Sequence, residues 1–196
     1  MRFIHEINKL KESYDSQVCG IRDNAFLLGK FKKTPPLAEH MVFFPMPHKV
    51  KEHLVTSYKR AFPRELLELY DTMNGANLFW SSLFIEKAGI YIPIRYLSIY
   101  GVPLTYDRMH IEPFNISIED LNRPQLTPSN WLKFGDYSTP SSGNTRWDLF
   151  VDVDSGCVFS VEHGIKDCTV SENWNSIDES LCDIYDLLNS CNIYPK

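Results

Sequence analysis

The sequence predicts an α+β domain. Three observations carry the prediction. The stretch Trp147–Gly164, WDLFVDVDSGCVFSVEHG, reads as two strands joined by a tight turn. A well-marked helix follows it near the C-terminus. Elsewhere, helix-like and strand-like patterns come in separate runs, which points away from a βαβ repeat.

The chain of 196 residues is long enough to bury a sizeable core and short enough for one domain, or one domain with an extension. Its hydrophobic fraction of 43% and charged fraction of 23% are those of a globular protein. No apolar run is long enough to span a bilayer, and charges interrupt the apolar residues of MRFIHEINKLKESYD, so no signal peptide is read there. Five scattered cysteines, with no C-x-x-C pair, fit reduced thiols. The expected compartment is the cytoplasm.

The elements follow in order. Phe3, Ile7, Leu10 and Tyr14 recur at helical spacing, which predicts a helix over 2–15. Residues 16–33 stay ambiguous, FLLGKF being a strand or a short buried turn. Residues 34–47 hold four prolines and are read as a connector, neither helix nor central strand. That connector sets the expected boundary between an N-terminal helical extension, 1–45, and a core domain, 46–192.

Val50, Leu54, Tyr58 and Ala61 predict a helix over 48–61. Pro63 opens the next, with Leu66, Leu67, Leu69, Tyr70 and Met73 as its buried stripe and Asn74-Gly75 as a left-handed cap. ANLFWSSLFI, 76–85, has strand character. So does 90–102, where Pro93 confines part of the run to an edge or loop. Residues 103–116 look irregular, Ser117 is placed to cap a short helix, and 130–137 is a further strand.

The hairpin register is argued from burial. A loop of Asp154-Ser155-Gly156 puts Val153 with Cys157, Val151 with Phe159 and Leu149 with Val161, making one face wholly apolar. Asp148, Phe150, Asp152, Val158, Ser160 and Glu162 then share the other face. In the last helix, Ser176 and Glu179 form a capping box, and Ile177, Leu181, Ile184, Tyr185 and Leu188 make one apolar face, with Asp183 and Asp186 outside.

Charge is unevenly distributed. Residues 1–64 carry twelve Lys/Arg against six Asp/Glu, whereas 148–186 carry ten acids and one base, Lys166. The bland reading is a solvated face; the sharper one is an acidic surface for a basic partner. Few signals for chemistry stand against these. There is no Gly-rich phosphate loop and no nucleophile elbow. Asp152–Gly156 departs from a calcium loop in its glycine position and lacks the closing Glu. His48 and His53 are wrongly spaced for a metal pair on a helix, and His163 is read as a strand-end residue. Trp131, Trp147 and Trp174 are read as packing residues at element ends, and an exposed one would be a hot-spot candidate.

FPRELLELYDTMNGANLF, residues 62–79, resembles the signature helix of the SUKH superfamily, which includes the fungal Smi/Knr cell-wall regulators and bacterial immunity proteins. Pro63, Leu66, Leu67, Tyr70, Asn74 and Gly75 match that pattern. FGDYSTPSSGNTRWDLFVDVDSGCVFSVEHG is similar to the family's hairpin block, and ENWNSIDESLCDIYDLL to its closing helix. Ala76 and Asn77 depart from it, since a second glycine is usual after the Asn-Gly.

The resemblance implies a curved, mostly antiparallel or mixed sheet flanked by helices. It also implies a non-enzymatic protein. No cofactor and no metal are expected from the residues. The expected function is an immunity protein that binds and neutralises a cognate protein toxin, a basic nuclease or another nucleic-acid-targeting toxin. It would do so through an acidic surface, with no direct nucleic-acid or membrane contact. Asp148, Asp152, Glu162, Asp183 and Asp186 are the expected contact residues. The alternative is an intracellular scaffold or regulatory module of the Smi/Knr type.

Overall fold

The chain is α+β. The computed structural model describes residues 1–14, 18–22, 25–29, 39–57, 62–85, 90–101, 130–143, 145–163, 170–191 and 193. Helix α1 (Arg2–Ser13) leads into strands β1 (Val18–Arg22), β2 (Ala25–Leu28) and β3 (His40–Phe43). Helices α2 (His48–Ser57) and α3 (Arg64–Thr72) precede the long strands β4 (Ala76–Ile85) and β5 (Ile90–Ile99). Then come β6 (Trp131–Tyr137), β7 (Trp147–Asp152), β8 (Val158–Glu162), β9 (Val170–Trp174) and α4 (Ile177–Ser190). The nine strands form one sheet in sequence order, and every pairing is antiparallel. The expectations for 58–61, 102–129 and the cysteines at 19 and 168 lie outside the described residues or their side chains.

One face of the sheet and the helices share a core. Leu78, Leu97, Leu132, Leu149, Val151 and Val158 from the strands pack in one cluster with Phe3 and Ile7 of α1, Leu66 and Leu69 of α3, and Leu181 and Ile184 of α4. Residues 1–45 thus give this core a helix and give this sheet three strands. The connector reading is corrected here. His40–Phe43 is a strand between β2 and β4, because the prolines at 35, 36, 45 and 47 flank a proline-free run instead of interrupting it. Pro93 lies within β5 and pairs with Ser82 of β4, but β6 joins β5 only at Leu97–Ile99. Among the described residues the strand is locally an edge at the proline, so its missing N–H leaves no gap in a second ladder there.

Helix α3 ends differently from its expected cap. Met73 is extended, and the left-handed residue is Gly75, with φ of 90°. Its use is close approach: a Cβ there would stand 2.6 Å from the carbonyl oxygen of Ile99. Helix α4 also departs in part. The Ser176 hydroxyl accepts from the N–H of Glu179 at 3.1 Å, but the Glu179 carboxylate takes the N–H of Asn175 at 2.8 Å. The N–H of Ile177 goes instead to Glu65 of α3, at 2.7 Å. The first turn of α4 is therefore capped from another helix.

The hairpin register is one residue from the expected one. Asp152 N–H bonds Cys157 O at 2.9 Å and Gly156 N–H bonds Asp152 O at 2.8 Å, closing a four-residue loop, 153–156. Val151 faces Val158, Leu149 faces Ser160, and Phe150 faces Phe159. Two causes are visible. Asp152 Oδ1 accepts from the backbone of Asp154 and Ser155, a side-chain turn that starts the loop one residue early. The register argument also assumed one solvated face, whereas both faces are largely buried: Phe150, Val161 and Asp148 lie opposite the helices and are almost inaccessible. Cys157, which the expected register put on the apolar face, is half-buried at the turn. Gly156, with φ of 77°, takes the left-handed position of the turn.

Candidate functional site

The far face of the sheet holds a buried ionic network. A bulge in β6 between Lys133 and Gly135 makes it possible. Residues three apart on a regular strand point to opposite faces; the extra residue puts Lys133 and Asp136 on the same one. Lys133 Nζ is 2.8 Å from Asp148 Oδ1, and Asp148 Oδ2 is 3.1 Å from His163 Nδ1. Asp136 accepts from the Arg146 guanidinium and from the Tyr100 hydroxyl. The Lys133 ammonium also sits 5.5 Å from the centre of the Tyr100 ring. Burial, then the Asp136 carboxylate, hold the Tyr100 phenol far above its ordinary pKa. Two buried carboxylates are matched by two basic side chains, Lys133 and Arg146. Each group is spent on another, which makes this a network that fixes β5, β6 and β7 together.

The outer edge of the fold has a different character. Between β9 and α4 runs a groove of about 400 Å3, lined by Glu172, Asn173, Trp174, Asp183, Ile184 and Leu187. Four of the five β9 residues are exposed. Leu187, on α4, is 45% exposed and leaves apolar surface at the groove wall. Asp183 and Leu187 are one helical turn apart and so share a side of α4. Glu172 and Trp174 alternate onto the helix-facing side of β9, opposite Ser160 and Val158.

Both carboxylates are held in place by neutral donors. The Tyr137 hydroxyl donates to Glu172 Oε2 at 2.8 Å, and the Trp174 indole N–H to Asp183 Oδ2 at 3.1 Å. Burial, reinforced by the bond to Glu172, raises the Tyr137 phenol so that it stays a donor. Neither Glu172 nor Asp183 has a cationic partner among the described residues. The groove thus has an aromatic and aliphatic floor between two oriented negative charges.

The expected contact residues are divided by this geometry. Asp183 lines the groove. Asp186 is exposed on the same helix and pairs with Arg2 at 3.1 Å. Asp148 is 6% exposed and committed to Lys133. Asp152 anchors its turn and takes the Asn130 amide at 2.7 Å, and Glu162 is half-buried at the end of β8, opposite Trp147. None of these last three lines the groove.

Part of the basic–acidic asymmetry is also used within the molecule. Asp178 of α4 accepts the N–H groups of Arg2 and Phe3, both at 2.8 Å, and so caps α1 from outside. Glu172, which completes the groove, was not singled out from sequence, and 170–174 was not read as a strand. VSENW itself carries no strand alternation, because three polar residues separate Val170 from Trp174.

Among the described residues no group of three His, Cys, Asp or Glu could hold a metal ion, and no helix is long and apolar enough to cross a membrane. No protein-family model, no characterised protein and no solved structure matches the chain.

Proposed function

We propose that this chain is a non-enzymatic binding protein that neutralises a basic protein toxin, as its resemblance to SUKH immunity proteins implies. The observation that carries the reading is the β9–α4 groove. Its apolar floor gives a partner side chain somewhere to bury, and Glu172 and Asp183 give the rim a sign. A few desolvated anchors supply most of the affinity at such a surface, while the surrounding charge raises the association rate and rejects acidic partners. Nuclease toxins carry basic substrate grooves. An acidic protein seated in one would block substrate by bulk and by charge, with no chemistry of its own. The far-face network supports this reading indirectly, because its ionisable groups satisfy one another instead of converging on an open cavity.

The test is co-expression with the toxin encoded beside this chain. Growth rescue together with a co-purifying complex is the expected result, with association that slows as salt rises. Failure of rescue, with no complex, overturns the proposal.

A further inference from the structure

The groove between β9 and α4 has a more specific chemistry than negative charge. Its ligand must satisfy three conditions. It must carry positive charge for Glu172 and Asp183, which stand on the strand wall and the helix wall. It must be able to lie against Trp174, which is partly packed on the core and whose indole N–H is already spent on Asp183, so that the part of the ring lining the groove is what remains for a ligand. It must also have donors directed to both sides, because each carboxylate is fixed by one internal donor and keeps lone pairs in a set direction.

A guanidinium meets all three. It is planar, weakly hydrated, stacks on aromatic rings and presents five donors in its plane. An ammonium carries the charge and can sit over a ring, but it is compact, strongly hydrated and not planar, so it neither stacks flat on the indole nor presents a fixed fork of donors to the two carboxylates. A neutral apolar side chain would desolvate two carboxylates with nothing to offset the cost.

One other occupant fits less well. A second copy pairing edge to edge along β9 would set Glu172 and Asp183 against the same charges on its partner. The register shift between Ser160 and Val161 also bends the edge available for pairing. The molecule already holds an arginine nearby: Arg2 sits on Asp186, one helical turn from Asp183 on the same outer side of α4.

We propose that the β9–α4 groove reads an arginine side chain of a basic partner. The guanidinium stacks on Trp174 and is held between Glu172 and Asp183. This rests on the binding role proposed above and names the anchor that role would use.

The test titrates the 15N-labelled full chain with the peptide acetyl-Gly-Arg-Gly-Arg-Gly-amide and its lysine counterpart. The readout is the Trp174 indole resonance, assigned with Trp174→Phe. The arginine peptide is expected to move that resonance saturably. Affinity should fall about tenfold for the lysine peptide and about tenfold in Asp183→Asn, which keeps an acceptor for the indole but removes the charge. Asp154→Asn, an equal loss of charge in the 153–156 turn, should leave the affinity unchanged.

An unmoved Trp174 resonance, equal binding of the two peptides, or an equal effect of Asp154→Asn overturns the inference. The two proposals fail separately. A toxin that is bound equally well by Trp174→Phe and Asp183→Asn removes the arginine site and leaves the binding role. Arginine-selective binding with no toxin complex removes the role and leaves the site.

Discussion

Replacing Lys133 with methionine removes one charge from the interior and leaves its partner behind. The Lys133 and Asp148 side chains are 5% and 9% exposed, with Nζ and Oδ1 2.8 Å apart. In Lys133→Met, the Asp148 carboxylate keeps only the exposed His163 ring, and the Tyr100 ring loses the cation above it. Breaking a buried pair from one side costs about 3–5 kcal/mol, most of it the desolvation of the orphaned charge. The unfolding entropy of a chain of this length is about 0.4 kcal/mol/K, so the melting temperature should fall by about 7–12 °C. The double variant Lys133→Met/Asp148→Leu removes both charges at similar volume and should cost about 0–2 kcal/mol. A double-mutant cycle by urea unfolding at pH 7 should therefore give a coupling of at least about 2 kcal/mol, well outside the error of additivity. Single variants whose costs simply add, or a Lys133→Met melting shift under about 3 °C, would show that the pair is solvated and refute the reasoning.

Three further outcomes are expected. His40 is buried, its Nδ1 accepts the N–H of Phe79 at 3.2 Å, and burial pushes its pKa down to about 3. The folded state therefore binds fewer protons than the unfolded one between about pH 6.5 and 3, and stability is full above 6.5 and falls as pH drops through that window. The loss from pH 7 to 5 should be about 2 kcal/mol by denaturant titration, and His40→Gln, which keeps an acceptor, should remove that share of the slope. Gly75→Ala combines a positive φ with a Cβ 2.6 Å from a backbone oxygen, so it should lose about 3 kcal/mol or more; a neutral effect in thermal unfolding would contradict the close approach. Burial, then Asp178, raise the Cys182 thiol to about 11. Iodoacetamide at pH 8, followed by mass spectrometry, should therefore modify the half-buried Cys157 and Cys191 well before Cys182.

The apolar periodicities were enough to place α1, α3 and α4, and β-branched and aromatic runs placed β4, β6 and the β7–β8 hairpin, because helix and strand periods are local properties. The buried stripe of α4 was legible residue by residue for the same reason. What failed were inferences needing a neighbour. The hairpin register assumed water on one side, but that side buries Phe150, Val161 and Asp148. Counting prolines missed β3, since what matters is where they fall relative to the ladder.

The candidate site shows the same division. Sequence placed acids along 148–186 and set Asp183 and Asp186 on the outer side of α4. It could not separate an acid that meets solvent from one that meets a lysine fifteen residues away. Asp148 is consumed by Lys133 because a bulge in β6 turns that lysine to the far face. Glu172 joins Asp183 because β9 and α4 lie side by side at the sheet edge. Local pattern determined which residues could be helix, strand, core or charge. Pairing and packing, which act between residues distant in the chain, decided which charges were left for a partner.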